Sequence, residues 1–225
     1  MPAGFRILPL PPILATGETA LFAACAASQL ADSMPSVQVA GTAMVPRHRS
    51  DRRLCGCAVT VRTAHGDNLL IQKALDLARP GDVIVVDGGG HAGQALVGEI
   101  MGTLAQQRGI AGFVVDGAVR DLDFIGPGSL PVFSTAVSLR GPSREGPGEI
   151  NVPVTLAGMM VSPGDIIVGD ADGVVAVPRA QAPQILAAAQ ALRQKEEDAL
   201  EAIRRGELDR GWIDAALRKG GCAFH

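Results

Sequence analysis

Two short segments of this sequence concentrate residues able to do chemistry on a small anion: Gly98-Glu99-Ile100-Met101 and Arg120-Asp121. A guanidinium accepts a carboxylate through two parallel hydrogen bonds, so Arg120 fits a carboxylate-bearing substrate. Two carboxylates, Glu99 and Asp121, with no Cys or His cluster beside them, suit a hard cation such as Mg²⁺ or Mn²⁺ that keeps several waters. The unpaired backbone N–H groups of a helix start at residues 98–101 favour negative charge at the same place. Combined, these groups describe a 2-oxo acid chelated to a divalent metal. Taken alone, the Arg120-Asp121 pair reads better as an ion pair capping a turn.

The elements that must hold these residues follow from hydropathy. Residues 68–78 have helical spacing, Pro80-Gly81 makes a turn, and Val83 to Val86 is a continuous apolar run expected to be a buried strand. After the glycines at 88–90, residues 94–108 again show helical spacing, Gly109 closes that helix, and 110–115 is a second buried strand. Two apolar strands around a helix form a βαβ unit with a parallel sheet. Ligands of such sheets bind beyond the carboxyl ends of the strands, which brings both polar segments to one crevice. Upstream, residues 18–33 read as a helix, and 37–63 as β-rich pieces (VQVAG and LCGCAVTVRT) around a basic loop, PRHRSDRR. Beyond Asp121, recurring Pro and Gly separate short Val/Ile strands into a β-layer, and residues 181–205 form a long charged helix.

Two motifs invite other readings. Residues 88–93 satisfy G-x-G-x-x-G between a strand and a helix. No further βαβ units follow to complete a dinucleotide fold, and Asp87 would face the pyrophosphate, so a glycine turn from strand to helix is the favoured reading. His91 lacks an acidic neighbour in sequence to orient it as a base.

Composition excludes several classes. The chain has 225 residues, a formal net charge of −3, 3% aromatics and no Tyr, which argues against a nucleic-acid or anionic-membrane partner. No apolar run is long enough to span a bilayer, prolines interrupt the amino-terminal apolar stretch, and a cytoplasmic location is expected. Cys55 and Cys57 form a lone C-x-C pair, so the four cysteines are expected to be reduced, small hydrophobes rather than zinc ligands.

In order along the chain, GCAVTV, GDNLLI, RPGDVIVVDGGG, ALVGE, RGIAGFVVDGAVRD, LPVFS, INVPV, VSPGDIIVGDADGVVAVP and the last charged helix resemble the RraA-like proteins. They are most similar to the class II pyruvate aldolases that act on 4-hydroxy-4-methyl-2-oxoglutarate and 4-carboxy-4-hydroxy-2-oxoadipate and also decarboxylate oxaloacetate. The resemblance implies an α/β fold, a β/β/α sandwich of the swivelling-domain type with a carboxy-terminal helical arm. It implies one domain over 1–225, with a helical amino-terminal segment (1–34), a core (35–180) and the arm (181–225). It further implies trimers or hexamers with the site at a subunit interface, and a role in degrading aromatic compounds.

By the same resemblance, Asp121 is the direct ligand of Mg²⁺ or Mn²⁺, and Arg120 holds the pyruvyl group and stabilises enolate charge. Glu99 holds metal-bound water, where several relatives carry Asp. The backbone of Gly98, Ile100 and Met101 receives the substrate carboxylate. An acid from a neighbouring subunit's last helix completes the site: Glu196, with Glu197 the alternative. Some RraA-like proteins instead bind and inhibit a ribonuclease. The Arg-Asp pair with an acid at 99 favours the lyase.

Overall fold

The computed structural model describes residues 4–12, 16–36, 38–49 and 51–223. By internal contacts they fall into two units, 1–189 and 190–225.

The first unit is a mixed sheet with layers on both faces. In chain order it contains β1 (Phe5–Ile7), α1 (Thr16–Ala23), α2 (Ala27–Asp32), β2 (Val45–Pro46), β3 (Leu54–Thr63), α3 (Leu69–Leu77) and β4 (Asp82–Val97). There follow α4 (Glu99–Gln107), β5 (Gly112–Val119), α5 (Leu122–Ile125), β6 (Val132–Val137), β7 (Gly148–Ile150) and the hairpin β8 (Val154–Leu156) and β9 (Met159–Val161). The strands β10 (Ile166–Asp170) and β11 (Gly173–Val177) precede α6 (Ala182–Arg205), whose first turns belong to this unit. Among the described residues the main sheet runs β1-β7-β3-β4-β5-β6-β2, with β10 joining β3 and β11 joining β10. The pairs β3/β4, β4/β5 and β5/β6 are parallel, and β10 pairs β3 antiparallel.

Strand alternation sorts the core. Ile84, Val86, Phe113 and Val115 face one side, where Leu70, Ile71, Ala74 and Leu75 of α3 and Met101 and Ala105 of α4 cover them. Their neighbours Val83, Val85 and Val114 face the other side and pack against Val154, Leu156, Met159 and Val161 of the β8–β9 hairpin. Both faces are apolar because both are covered, which is why the sequence shows continuous runs rather than alternation. A third cluster joins Phe22 and Leu30 of α1 and α2 to Ile166, Val168, Val175 and Ile185. The expected α/β architecture is therefore present as sheet, hairpin and helix layers.

Four local expectations need correction. Residues 94–97 are strand, not helix: β4 continues through the glycines to Val97, and helix begins at Glu99. Gly89 and Gly90 have φ of 66° and 68°, and the register against β5 shifts between Asp87 and His91, then again before Ala95 and Val97. These bulges coil the strand without ending it. The single helix expected over 18–33 is two, α1 and α2. The break at Cys25 and Ala26 lets Asp170 accept the Ala27 N–H at 2.9 Å. The amino-terminal segment also opens with a strand, β1, which pairs β7 in parallel. Of VQVAG, Val37 lies outside the described residues, and Val39 makes only an isolated bridge to Val175.

The second unit holds the rest of α6 and α7 (Gly211–Lys219), both largely exposed. No described helix is long and apolar enough to cross a membrane. The four cysteines form no disulfide among the described residues; Cys25 and Cys57 are buried, Cys55 is half-buried with its thiol pushed up to about 12 by burial, and Cys222 is exposed.

Candidate active site

The carboxyl ends of β4 and β5 are adjacent, with Val97 paired to Val119, so the segments that follow them meet. From β4 the chain passes Gly98 into α4. From β5 it passes Arg120 and Asp121 into α5. The Arg120 N–H bonds the Val97 carbonyl at 3.0 Å, which fixes one segment against the other.

Asp121 adopts a left-handed conformation, φ 60° and ψ 50°, that few non-glycine residues tolerate. The turn returns its carboxylate to the start of α4, where Oδ2 accepts the Glu99 N–H at 2.8 Å. The same oxygen lies 3.6 Å from Arg120 Nε. Gly98 makes this approach possible. A Cβ there would collide with Asp121 Oδ2 and sit 3.0 Å from Arg120 Cγ. Within α4 the first intrahelical bond runs from the Gly102 N–H to the Gly98 carbonyl, and the N-cap Gly98 has no side chain to cap the N–H groups that follow Glu99. The N–H groups of Ile100 and Met101 therefore stand without helical acceptors at its positive end.

These residues line a pocket of about 220 Å³. Its walls are Gly98 to Met101 on one side and Arg120 with Asp121 on another; Asn68 and Gln72 come from the start of α3, and Pro142 and Arg144 from the loop before β7. Asn68 is buried and donates to the Leu96 carbonyl at 3.1 Å, while Gln72 donates to Asn68 Oδ1 at 3.2 Å. The Pro142–Arg144 wall is pinned through Asp67, whose Oδ2 accepts the Ser143 hydroxyl at 2.9 Å and the Glu145 N–H at 2.6 Å. Burial alone would raise the Asp67 carboxyl, but the N–H groups of Glu145, Leu69 and Gly146 and the Ser143 hydroxyl hold it below the ordinary range.

The structure thus brings Gly98, Glu99, Ile100, Met101, Arg120 and Asp121 to one pocket, as the sequence reading expected of their positions. Glu196 stands exposed on the second unit and is not among the lining residues; Glu197 beside it pairs with Arg193 at 3.3 Å. Sequence reasoning did not foresee Asn68, Gln72, Pro142 or Arg144, which reach the pocket by tertiary packing. A signal for Asn68 existed in its place at the start of a predicted helix; none existed for Arg144. The glycines at 88–93 do not line the pocket. His91 instead stacks on His65, with ring centroids 5.4 Å apart.

Among the described residues no three His, Cys, Asp or Glu side chains gather to cage a metal. The donor set fits a hard cation nonetheless. Glu99 and Asp121 front the same pocket, and Mg²⁺ is commonly held by one or two carboxylates, with water and substrate completing its shell.

A relative from Halalkalibacterium halodurans named "Putative 4-hydroxy-4-methyl-2-oxoglutarate aldolase" is 38% identical over 76% of this chain and 81% of its own. One of the same name from Ectopseudomonas mendocina is 34% identical over 67% of this chain and 93% of its own. Among solved structures, an uncharacterized protein from Pseudomonas syringae pv. tomato superposes with a TM-score of 0.77 at 27% identity, covering 87% of this chain and 96% of that one. The RNA-processing inhibitor RraA from Thermus thermophilis superposes with a TM-score of 0.63 at 32% identity, covering 68% and 92%. The Aldolase/RraA profile matches residues 27–176, which supply every wall of the pocket and the sheet apart from β1 and the last residue of β11, and the chain belongs to the RraA-like family.

Proposed function

We propose that this protein is a lyase that cleaves 4-hydroxy-2-oxo-dicarboxylic or tricarboxylic acids to pyruvate and a second oxo acid, with the same pocket decarboxylating oxaloacetate. The observation that carries the reading is the meeting of Arg120, Asp121 and the start of α4 in one pocket, closed by the Asp121–Glu99 hydrogen bond. Relatives that carry an aldolase name support it.

The residues divide the work as follows. The N–H groups of Ile100 and Met101, with Gly98 leaving room beside them, receive the carboxylate of the pyruvyl portion. Arg120 faces the keto oxygen. Asp121 would hold Mg²⁺ or Mn²⁺ directly and Glu99 through water, and a bound ion would supply Lewis-acid polarisation of the keto group. Glu99 relays the proton from the C4 hydroxyl through a water, and the C3–C4 bond breaks. The bonding pair becomes the pyruvate enolate, whose oxygen meets the Arg120 guanidinium. A fixed cation aimed at charge that appears only during reaction stabilises the transition state more than the ground state. Protonation at C3 releases pyruvate. In oxaloacetate decarboxylation carbon dioxide leaves in place of the second oxo acid.

Assembly follows from the same reading. A trimer or pair of trimers places Glu196 of one copy at the pocket of the next. Mixing an Asp121→Ala variant with a Glu196→Ala variant should then restore activity that neither has alone, and sedimentation should show the oligomer. The deciding assay is pyruvate release from 4-hydroxy-4-methyl-2-oxoglutarate. It should disappear with EDTA, return with Mg²⁺ or Mn²⁺, and fall below detection in Asp121→Ala. Release that ignores both treatments would remove the assignment.

Likeness to an RNA-processing inhibitor supports a second reading, a regulator that binds a ribonuclease. A wild-type chain that inhibits a ribonuclease and never yields pyruvate would establish it in place of the first.

A further inference from the structure

Arg144 is the charged pocket residue for which the proposed bond cleavage has no use. It lines the pocket, and its guanidinium has no ion-pair or hydrogen-bond partner among the described residues. Its backbone is held from both sides. Asp67 anchors Ser143 and Glu145, the Ser143 N–H bonds the Gly66 carbonyl at 2.8 Å, and the Asn68 N–H bonds the Ser143 carbonyl at 3.1 Å. A cation on a long side chain is ordinarily left on a mobile surface. Here three residues clamp the main chain beneath it, which lowers the entropy cost of using it. The loop also approaches Arg120, since a Cβ at Gly141 would lie 3.3 Å from Arg120 Nη1. The pocket therefore presents two guanidinium groups, one tied to Asp121 and one without a counter-ion.

We infer that Arg144 binds the carboxylate at the end of the substrate remote from the pyruvyl group and so selects dicarboxylic over monocarboxylic 4-hydroxy-2-oxo acids. The inference rests on the lyase reading. Arg120 and the α4 N–H groups engage the pyruvyl half, which every substrate of this class shares. Discrimination must come from a group meeting the other half, and Arg144 is the cation with capacity to spare. A planar fork gives a carboxylate two parallel bonds, which a bare methyl cannot replace.

The test compares 4-hydroxy-2-oxoglutarate with 4-hydroxy-2-oxopentanoate, which lacks the distal carboxylate, and adds exchange of the pyruvate C3 protons in deuterated water as a measure of the pyruvyl half. Arg144→Ala should lower kcat/KM for the dicarboxylate about 50-fold, mostly through KM, the scale of losing one charge-assisted carboxylate contact. It should leave the monocarboxylate and the proton exchange within about twofold. Arg144→Lys should recover part of the loss, because charge remains but the fork does not. Arg140→Ala, which removes the same charge from a neighbouring residue outside the pocket lining, should not discriminate between the substrates. Equal losses on both substrates, no loss, or an equal selective loss in Arg140→Ala would each overturn the inference while leaving the lyase intact. A wild-type chain lacking both pyruvate release and proton exchange would instead overturn the lyase reading and this inference with it.

Discussion

Two sets of arginines and carboxylates sit near the carboxyl end of the same sheet, and they are wired differently. Across five strands, register places Arg6 beside Glu149, Glu149 beside Arg62, Arg62 beside Asp87, and Asp87 beside Asp116. Arg6 and Arg62 reach Glu149 at 2.8 and 3.0 Å, Arg62 reaches Asp87 at 3.6 Å, and Asp116 accepts the Ala157 N–H at 3.0 Å. In the pocket, Arg120 meets Asp121 only at 3.6 Å and Arg144 meets no carboxylate among the described residues. Charges in the row are spent on one another; charges in the pocket are held in position with bonding capacity left over. The first arrangement stabilises the fold, and the second is available to a ligand.

Substitutions should separate the two sets. The largest effect belongs to Arg120. Arg120→Ala should lower kcat by about 10²–10³-fold, the scale of losing one preorganised donor at developing negative charge. It should hardly move the urea midpoint, because its ion pair is over a third exposed on both sides. Glu149→Ala should do the converse. Glu149 is 5% exposed and joins two strands, so its loss should cost about 2 kcal/mol, below the usual figure for a buried pair because Arg6 and Arg62 can return to water. Pyruvate release per folded molecule should stay at wild-type level. If Glu149→Ala abolishes turnover in folded protein, or Arg120→Ala unfolds the chain, the division between the two sets is wrong.

Gly98→Ala sharpens the comparison within the pocket. The added methyl must displace Asp121 Oδ2 or the Arg120 stem. The shift should lower kcat by about 10-fold, as small misplacements of positioned groups do. Thermal stability should change little, since Gly98 already has extended backbone that any residue adopts. An unchanged kcat would mean that the closeness of Gly98 to Asp121 has no part in positioning the carboxylate.

Much of this was legible in residues alone. LCGCAVTVRT is β3 from end to end, because a strand covered on both faces must be apolar throughout. The site segments were legible because each directly follows an apolar strand, and adjacent parallel strands deliver their exits together. The course of β4 was not. Glycines that break a strand and glycines that coil one look identical in sequence, and here only pairing of Ala95 with Ala118 and Val97 with Val119 keeps the chain extended. Arg144 was hidden for a different reason. It is 24 residues past Arg120, and bonds from Gly66, Asp67 and Asn68, remote in sequence, bring its loop back to the pocket.

That dependence on Asp67 yields the smallest expected effect, a pH response that couples both sets. Asp67 and Glu149 each have a carboxyl held below its ordinary value in the folded state: burial opposes this, but hydrogen bonds to Asp67, and Arg6, Gly4 and Arg62 around Glu149, outweigh it. A lowered folded value means stabilisation that is complete above the ordinary values, about 3.9 and 4.3, and lost as pH falls through the folded ones. Asp165 works the other way. Burial raises its carboxyl despite N–H bonds from Ser162 and Arg179, so it takes up its proton earlier in the folded chain and offsets part of the loss. With two lowered groups against one raised, the melting temperature should be flat from pH 8 to 5 and fall by about 5 °C as pH drops below 4. Ser143→Ala removes one of the bonds that hold Asp67 low, so its share of the loss should begin at higher pH than in wild type. The variant should also weaken selection for the dicarboxylate, because the loop carrying Arg144 loses an anchor. An acid limb identical to wild type in Ser143→Ala would show that Asp67 does not hold the loop by this bond.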